Sequence, residues 1–530
     1  FFISLSKSSA YFIPTASNNF GYILIFVKPG IVFISFINIY HQLLENMNRI
    51  IKLSPWALLA IISFIAIFAC SFYTHTNYRV FAYDQDIFYV IGRNWAEGNL
   101  PYVTAWDSKG PFIFFFNMLG YLITKSDIGV VLLESINFTL VSWCSYFFLG
   151  KYCSKKISFI YTLFFIASHI IINSGGDQVG DSNLLLSVIS IFLVYNWSRK
   201  YQDGIIEHPW KYAFIYGLFF ASCLLSRLTN AVAICASILA IVSILVYHKK
   251  WNNLIKNSIA FIAGCCTFAL PFIIYFNIHN ALSDMWYATF LYNIEYAMHS
   301  QPFAITETHF PLIYFIFYNI SILSVLLSAI IAIICNARKK TAYIWGFIAI
   351  CTIGWIIKSY ANANYTISFL PILFVAFIEL STLYKTDKKK LYLAGIYMIS
   401  IVILIGTGNY IRTTLYYESI AREMRKDAQF QIDMINDIPK EDSFIIYNGL
   451  PYIFATQNIR PYYPYWICQD WAIDNGMSLR SKVRDCYAKG DVKWIIAYDY
   501  EHSHIKDILL DRYSISKEDK KNKLTLFRLK

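Results

Sequence analysis

The run TNAVAICASILAIVSILVYH, residues 229–248, contains no Asp, Glu, Lys or Arg. As a helix it is about 30 Å long, which is the thickness of the hydrocarbon core of a bilayer. Apolar runs of roughly this length recur between residues 55 and 408. Only 15% of the residues are charged, against about 25% in typical soluble domains. The sequence therefore predicts a polytopic α-helical membrane protein.

About eleven spans follow from these runs. The predicted spans lie near residues 55–73, 128–150, 157–172, 183–197, 212–226, 229–248, 257–279, 311–335, 342–358, 365–384 and 391–408. With the segment before the first span in the cytoplasm, the cytoplasmic links contain most of the Lys and Arg that lie between spans. This asymmetry agrees with the positive-inside rule and predicts a multi-pass protein of the bacterial inner membrane. The net charge of +12 is explained by membrane topology in the same way, so no nucleic-acid partner is expected.

The apolar run at residues 111–124 is too short to cross the membrane. If it were a span, the basic cluster at residues 151–156 would lie on the outer side. We predict instead an interfacial or re-entrant helix that returns to the same face. The first outer loop then extends over residues 74–127.

The chain begins with Phe1, and its first Met is Met47. A short basic segment and a clean apolar run follow Met47, as at the start of many inner-membrane proteins. We expect residues 1–46 to be an upstream extension that the native protein lacks, and a transmembrane domain over residues 47–410. The alternative is an additional span at about residues 20–40.

Residues 411–530 have a different composition and are predicted to lie in the periplasm. An amphipathic helix is expected over residues 412–438, where Pro439 ends it. A small α/β domain follows, with short β-like runs at residues 443–447, 494–498 and 524–529. Cys468 and Cys486 lie in this part and would be able to form a disulfide in an oxidising compartment.

Ionisable and aromatic residues gather in the predicted outer loops and at the outer ends of spans. They are Asp84, Asp86, Asp107 and Lys109 in the first loop, Asp177 and Asp181 in the second, Arg227, Tyr296, Lys358 and Tyr365. A carboxylate can deprotonate an attacking hydroxyl, and Lys or Arg can bind a phosphate and stabilise its charge as it leaves. Ionisable groups at membrane level are costly, so they indicate function.

Each of these residues also has a structural interpretation. Asp84 and Asp86 are also explained by solvated loop charges, which most acidic residues in loops are. Lys109 is explained by an interfacial anchor that extends along the next apolar helix, and Arg227 by a helix-end charge that pairs with a lipid headgroup. Chemistry alone therefore predicts a site on the outer face without identifying it.

The order of these motifs resembles the GT-C class of integral-membrane glycosyltransferases, most closely the branch of protein O-mannosyltransferases and lipid A aminoarabinose transferases. Asp84-Gln85-Asp86 matches the acidic motif after the first span, and Trp106-Asp107-Ser108-Lys109-Gly110-Pro111 matches the Lys-Pro-Pro-like motif before the interfacial helix. Ser226-Arg227-Leu228 resembles a later basic step, and Asn364-Tyr365 a late His-Tyr element. Three positions depart from the family pattern, namely Gln85, Gly110 and Asn364.

The resemblance implies roles for the residues that match. Asp84 would be the general base or would orient the acceptor, with Asp86 and the second-loop acid Asp181 as further catalytic candidates. Lys109 and Arg227 would bind the donor phosphate. The other candidates would contact substrate; they are Asp107, Asp177, Tyr296, Lys358 and Tyr365.

The predicted function is transfer of a hexosyl or pentosyl group, with inversion, from a polyprenyl-phosphate donor to a lipid, glycan or protein acceptor on the periplasmic face. A divalent metal bound by Asp84 and Asp86 is left open, and no other cofactor is implied. The alternatives are a transporter or flippase, a surface-polysaccharide ligase, and a binding protein that kept the fold and lost activity.

Overall fold

The computed structural model describes residues 54–75, 78–173, 175–299, 319–336, 339–359, 363–384 and 389–530. The chain divides into two units, Phe1–Pro55 and Trp56–Lys530. The predicted upstream extension, residues 1–46, lies outside the described residues, as does the start of the span predicted at 311–335.

Helices form most of the second unit. In chain order they are α1 (Pro55–Cys70), α2 (Tyr83–Ala96), α3 (Pro111–Thr124), α4 (Ile128–Leu149), α5 (Lys155–Ile172), α6 (Val179–Gln202), α7 (Trp210–Leu224), α8 (Val232–Tyr247), α9 (Trp251–Ile278), α10 (Leu282–Trp286), α11 (Tyr292–His299), α12 (Ile320–Cys335), α13 (Lys340–Ser359), α14 (Leu373–Tyr384) and α15 (Lys389–Asn436). Short helical turns at Phe72–Thr74, Arg79–Phe81, Leu228–Ala231, Tyr287–Leu291 and Ala363–Ile372 connect them.

Eight helices within the described ranges are long and apolar enough to cross a membrane. Four apolar helices are shorter, namely α1, α3, α7 and α12. The described part of each run predicted as a span coincides with one of these twelve helices and extends at most three residues beyond it, and α3 is the one that was predicted not to cross. Its bounds, Pro111–Thr124, are those of the predicted interfacial helix, and its 14 residues extend over only about 21 Å.

The backbones of α7 and α9 pack closely against each other, because glycines lie where the two helices meet. A Cβ atom added to Gly217 would lie 2.1 Å from the carbonyl oxygen of Phe261, and one added to Gly264 would lie 2.1 Å from that of Phe214. Small residues allow helix backbones to approach in this way in membranes, where no hydrophobic effect drives association.

Helices α2 and α3 form a tightly packed pair within the first loop. Gly92 of α2 lies against Asn117 of α3, where an added Cβ would be 2.6 Å from the Asn117 Cβ. From Gln85 to Trp95 every residue of α2 is buried. Part of the loop expected at residues 74–110 is therefore a helix, and the acidic residues Asp84 and Asp86 lie in its first turn.

Helix α15 differs from the prediction. The sequence suggested a span at 391–408 followed by a separate helix at 412–438, but Lys389–Asn436 is one continuous helix of 48 residues. No proline interrupts it before Pro439, and its length is about 72 Å, well over twice the ~30 Å hydrocarbon core. The predicted domain boundary at residues 410 and 411 therefore falls inside a helix.

The C-terminal domain contains a four-stranded sheet. Its strands are β1 (Phe444–Tyr447), β2 (Trp494–Tyr498), β3 (Tyr513–Asp519) and β4 (Leu524–Leu529), in the order β1-β2-β4-β3. Strand β1 pairs parallel with β2, and the other two pairs are antiparallel. Three strands match the predicted β-like runs. The sequence did not predict β3, because this edge strand is mostly exposed and polar.

Helices α16 (Pro451–Thr456), α17 (Gln469–Asn475), α18 (Met477–Lys489) and α19 (Lys506–Arg512) surround the sheet. The domain is attached to the first loop by buried polar contacts. Arg93 of α2 donates to the carbonyl oxygens of Phe454 (3.3 Å) and Ile459 (2.6 Å), and the N–H of Trp106 donates to the carbonyl oxygen of Pro464 at 2.8 Å.

Candidate active site

Two backbone segments from distant parts of the chain hold Lys109 and Arg227 together. The N–H of Gly110 donates to the carbonyl oxygen of Ser226 at 3.1 Å, and the N–H of Phe112 donates to that of Leu225 at 2.9 Å. A Cβ atom on residue 110 would lie 2.2 Å from the Leu225 carbonyl. Gly110, which departs from the family pattern, is therefore the residue that this close approach requires.

The side chain of Lys109 is half-buried among charged neighbours. Burial alone would lower its pKa, but the carboxylates of Asp107 and Asp84 outweigh burial and raise the pKa above its usual value. Arg227 opposes this effect, and the hydroxyl of Tyr365 adds to it. Four other residues predicted from the sequence are thus within electrostatic reach of the Lys109 ammonium group.

Neither cation has a carboxylate partner in the part of the chain that the structure describes. Among the described residues, no carboxylate oxygen lies within the 4.0 Å of an ion pair from the Lys109 ammonium or the Arg227 guanidinium. The guanidinium lies over the ring of Tyr365, with its carbon 3.8 Å from the ring centroid. This cation–π contact orients Arg227 while leaving its N–H donors available to an anion.

Asp84 lies in the first turn of α2 and is half-buried. Within the described ranges its carboxylate forms no ion pair. The preceding residue, Tyr83, places its hydroxyl oxygen 2.7 Å from the Sγ of Cys468. The start of α2 is thereby fixed to the C-terminal domain beside the two cations.

Asp86 has a different environment, since residues two positions apart on a helix do not face the same way. Its carboxylate is fully buried and forms an ion pair with Arg79, which also binds Asp127 at 3.1 Å. Arg79 lies 4.6 Å from the ring centroid of Tyr73. Burial raises the pKa of Asp86 to about 7, against the opposing effect of Arg79. Asp86 therefore holds the first loop in place through its ion pair with Arg79.

Asp84 and Asp86 are not arranged to bind one metal ion together, because the Asp86 carboxylate is paired with Arg79. No group of three or more His, Cys, Asp and Glu side chains in the described part of the chain is arranged to bind a metal ion.

The second-loop acids lie in a neighbouring buried cluster. Asp177 accepts hydrogen bonds from the Asn117 amide (3.1 Å) and the Tyr73 hydroxyl (3.3 Å). Burial raises the pKa of Asp177 well above its usual value, against the opposing effect of the hydrogen bonds from Asn117 and Tyr73. Asp181 lies 2.6 Å from the Nε2 of His169 and accepts the backbone N–H of Gln178.

Tyr296 lies on α11, close to the cations. The amide of Asn293, one helical turn earlier, donates to the carbonyl oxygen of Ser108 at 2.7 Å. Burial raises the pKa of Tyr296, and among its charged neighbours Lys109 lowers it. Lys358, by contrast, is exposed at the end of α13, where no described residue pairs with it.

Sequence reasoning missed the residues that the C-terminal domain contributes. Cys468 and Trp471 approach the site, and the ring centroid of Trp471 lies 5.7 Å from that of Tyr296. Burial raises the pKa of Cys468 to about 12. The disulfide suggested between Cys468 and Cys486 is wrong, because both thiols are free and Cys468 contacts Tyr83 instead. No motif in the sequence indicated these contacts.

The fold is that of the GT-C class of membrane glycosyltransferases, which confirms the resemblance predicted from the motifs. The chain is similar to the crystal structure of ArnT from Cupriavidus metallidurans bound to undecaprenyl phosphate, with a TM-score of 0.54 and 11% identity. The similarity covers 89% of this chain and 97% of that one, and at this identity it concerns the fold. No protein-family model matches the chain, and no curated protein sequence matches it.

Proposed function

We propose that the protein is a glycosyltransferase that moves a sugar from a polyprenyl-phosphate carrier to an acceptor. The observation that supports this most directly is the pair of cations, Lys109 and Arg227, without carboxylate partners in the described structure, beside the half-buried Asp84. The ArnT structure of the same fold was solved with undecaprenyl phosphate, which is a ligand of this chemical class.

Lys109 and Arg227 bind the phosphate of the carrier in this proposal. Charge-assisted hydrogen bonds from an ammonium and a guanidinium suit phosphate oxygens. When the bond between the anomeric carbon and the phosphate oxygen breaks, its electron pair remains on the phosphate. The two cations stabilise that developing charge from fixed positions, because the Gly110–Ser226 hydrogen bond holds their segments together.

Asp84 accepts the proton of the acceptor hydroxyl, and the hydroxyl oxygen forms the new bond to the anomeric carbon. Attack from the side opposite the phosphate inverts the anomeric configuration. Asp86 acts as a positioning residue through Arg79, and Asp107 positions Lys109 by accepting its backbone N–H at 2.9 Å. Asp177 and Asp181 are assigned a supporting role in the adjacent buried cluster.

The distribution of Lys and Arg supports placing this site on the periplasmic face of the inner membrane. The acceptor is a lipid, a glycan or a protein that reaches this face. The transferred group is a hexose or pentose.

The test is sugar release from radiolabelled polyprenyl-phosphate sugars by purified protein, with native membrane extract as the source of acceptor. Asp84→Asn is compared with wild type and with Asp203→Asn, an exposed acid at the end of α6. We expect Asp84→Asn to lose about 100-fold or more of the turnover without loss of thermal stability, and Asp203→Asn to retain it.

Turnover that survives in a folded Asp84→Asn protein would assign the base elsewhere, with Asp181 as the next candidate. No turnover by wild type with any carrier would contradict the proposed function. The transport and binding alternatives would then be tested with the protein in vesicles.

A further inference from the structure

Helix α11 connects the cation pair to the C-terminal domain. At one side, Asn293 donates to the carbonyl oxygen of Ser108, the residue before Lys109. At its start, the hydroxyl of Tyr292 donates to the carbonyl oxygen of Ala472 at 3.1 Å. The ring of Trp106 also packs edge-on against Tyr292, with centroids 4.9 Å apart. Side chains of α11 are therefore held at a defined distance from Lys109.

Helix α17 approaches the same place from the C-terminal domain. It begins just after Cys468, whose thiol contacts Tyr83 beside Asp84. Asp470 anchors the helix in its own domain by accepting hydrogen bonds from Tyr447 and Asn448. Trp471 follows Cys468 by three residues and lies in the first turn of the helix.

These attachments bring Tyr296 of α11 and Trp471 of α17 together at an interplanar angle of 46°. The Trp471 side chain remains 51% exposed. Its indole N–H has no hydrogen-bond partner among the described residues, although each helix is otherwise fixed by polar contacts. A large aromatic ring held in place yet half open to solvent is suited to contact with a ligand.

We propose that Tyr296 and Trp471 form an aromatic wall that binds the sugar ring of the carrier, beside the phosphate held by Lys109 and Arg227. The C–H groups on one face of a pyranose or furanose ring carry partial positive charge and pack against the negative face of an indole. The free indole N–H is placed to donate to a sugar hydroxyl. This inference rests on the proposed function, and it assigns specificity for the sugar to the C-terminal domain.

The surroundings favour a sugar over the isoprenoid chain as the occupant. Trp471 lies outside every apolar helix that is long enough to cross a membrane, and its own helix carries Asp470 and Asp474. An isoprenoid chain would lose little by remaining in the bilayer, whereas a sugar needs polar and aromatic contacts outside it.

The experiment compares two ligands, polyprenyl phosphate and a polyprenyl-phosphate hexose, for binding to the purified full chain in detergent. The variants are Trp471→Ala, Trp471→Phe and Tyr296→Ala. Trp251→Ala is the matched control, because Trp251 is 53% exposed at the start of α9 and contributes to none of these contacts.

We expect Trp471→Ala to weaken binding of the sugar-bearing lipid by about five- to tenfold and to leave binding of polyprenyl phosphate unchanged. Trp471→Phe should restore part of the loss, and Trp251→Ala should behave as wild type. An equal loss for both lipids would overturn the sugar assignment in favour of the isoprenoid or of misfolding.

The experiment distinguishes failure of the proposed function from failure of the aromatic wall. Wild-type protein that binds neither lipid would overturn the proposed function together with this inference. Wild-type protein that binds both lipids, with no change in the Trp471→Ala variant, would overturn the aromatic wall alone.

Discussion

The N–H of Gly110 donates to the carbonyl oxygen of Ser226 at 3.1 Å, and the residues adjacent to this bond are Lys109 and Arg227. This bond joins two segments that lie more than a hundred residues apart in the chain. It fixes the separation of the two backbone segments from which the Lys109 and Arg227 side chains extend.

Gly110→Ala should disturb this arrangement, because its Cβ would lie 2.2 Å from the Leu225 carbonyl and the two segments would have to separate. We expect a loss of about 1–3 kcal/mol in stability and weaker binding of polyprenyl phosphate. The control is Gly354→Ala in α13, where an added Cβ meets no atom within 4 Å. A Gly110→Ala protein with wild-type affinity would show that the close approach does not matter for the site.

Replacement of either cation should weaken the carrier's phosphate contacts. For Lys109→Ala and Arg227→Ala we expect roughly 10- to 100-fold lower affinity for polyprenyl phosphate, the loss typical of one charge-assisted hydrogen bond. Lys358→Ala provides a comparison, since Lys358 is exposed and unpaired in the described structure. A loss in Lys358→Ala equal to those of the other two variants would contradict the assignment.

Arg79→Ala should affect stability more than any substitution at Asp84. Removal of Arg79 leaves the Asp86 carboxylate buried without its partner, and breaking such a pair typically costs about 3–5 kcal/mol. Thermal unfolding in detergent measures this cost. Asp84→Asn, which breaks no ion pair, is the control and should unfold as wild type does. Wild-type stability in Arg79→Ala would show that the pair is not structural.

Asp177 should make stability depend on pH. Because burial raises the pKa of Asp177 in the folded state above its ordinary value of 3.8, the folded protein binds this proton more tightly than the unfolded chain. The stabilisation is complete below about pH 4 and is lost as the pH rises through the folded pKa. Asp86, raised in the same direction, adds to the slope.

Asp177→Asn keeps the shape of the side chain and removes its titration, so melting temperatures between pH 5 and 8 should decline less steeply than in wild type. Asp203→Asn, an exposed acid, should leave the decline unchanged. Parallel declines in wild type and Asp177→Asn would contradict the assignment of this carboxyl.

Hydropathy and local motifs predicted much of the architecture. The apolar runs predicted the helices now seen between α1 and α15, and the length of residues 111–124 predicted α3 to the residue. The family resemblance predicted that Lys109 and Arg227 would bind the same phosphate, and the backbone segments that carry them are hydrogen-bonded to each other; the chemical roles of both residues and of Asp84 remain proposals.

What the sequence did not reveal depends on pairs of distant residues. The Arg79–Asp86 ion pair separates Asp86 from Asp84, although both belong to one motif. The contact of Tyr83 with Cys468 joins residues 385 positions apart. No periodicity or spacing records such contacts, because they follow from the packing of complete helices and domains.

The continuous helix α15 connects the C-terminal domain directly to an apolar helical segment. Its far end is fixed to the domain, since the buried side chain of Gln431 accepts the N–H of Leu450, and its middle packs against the first loop where Tyr417 meets Phe81. Movement of a domain connected in this way would also move the apolar part of the same helix against its neighbours. We therefore expect the C-terminal domain and the apolar part of α15 to move as one body.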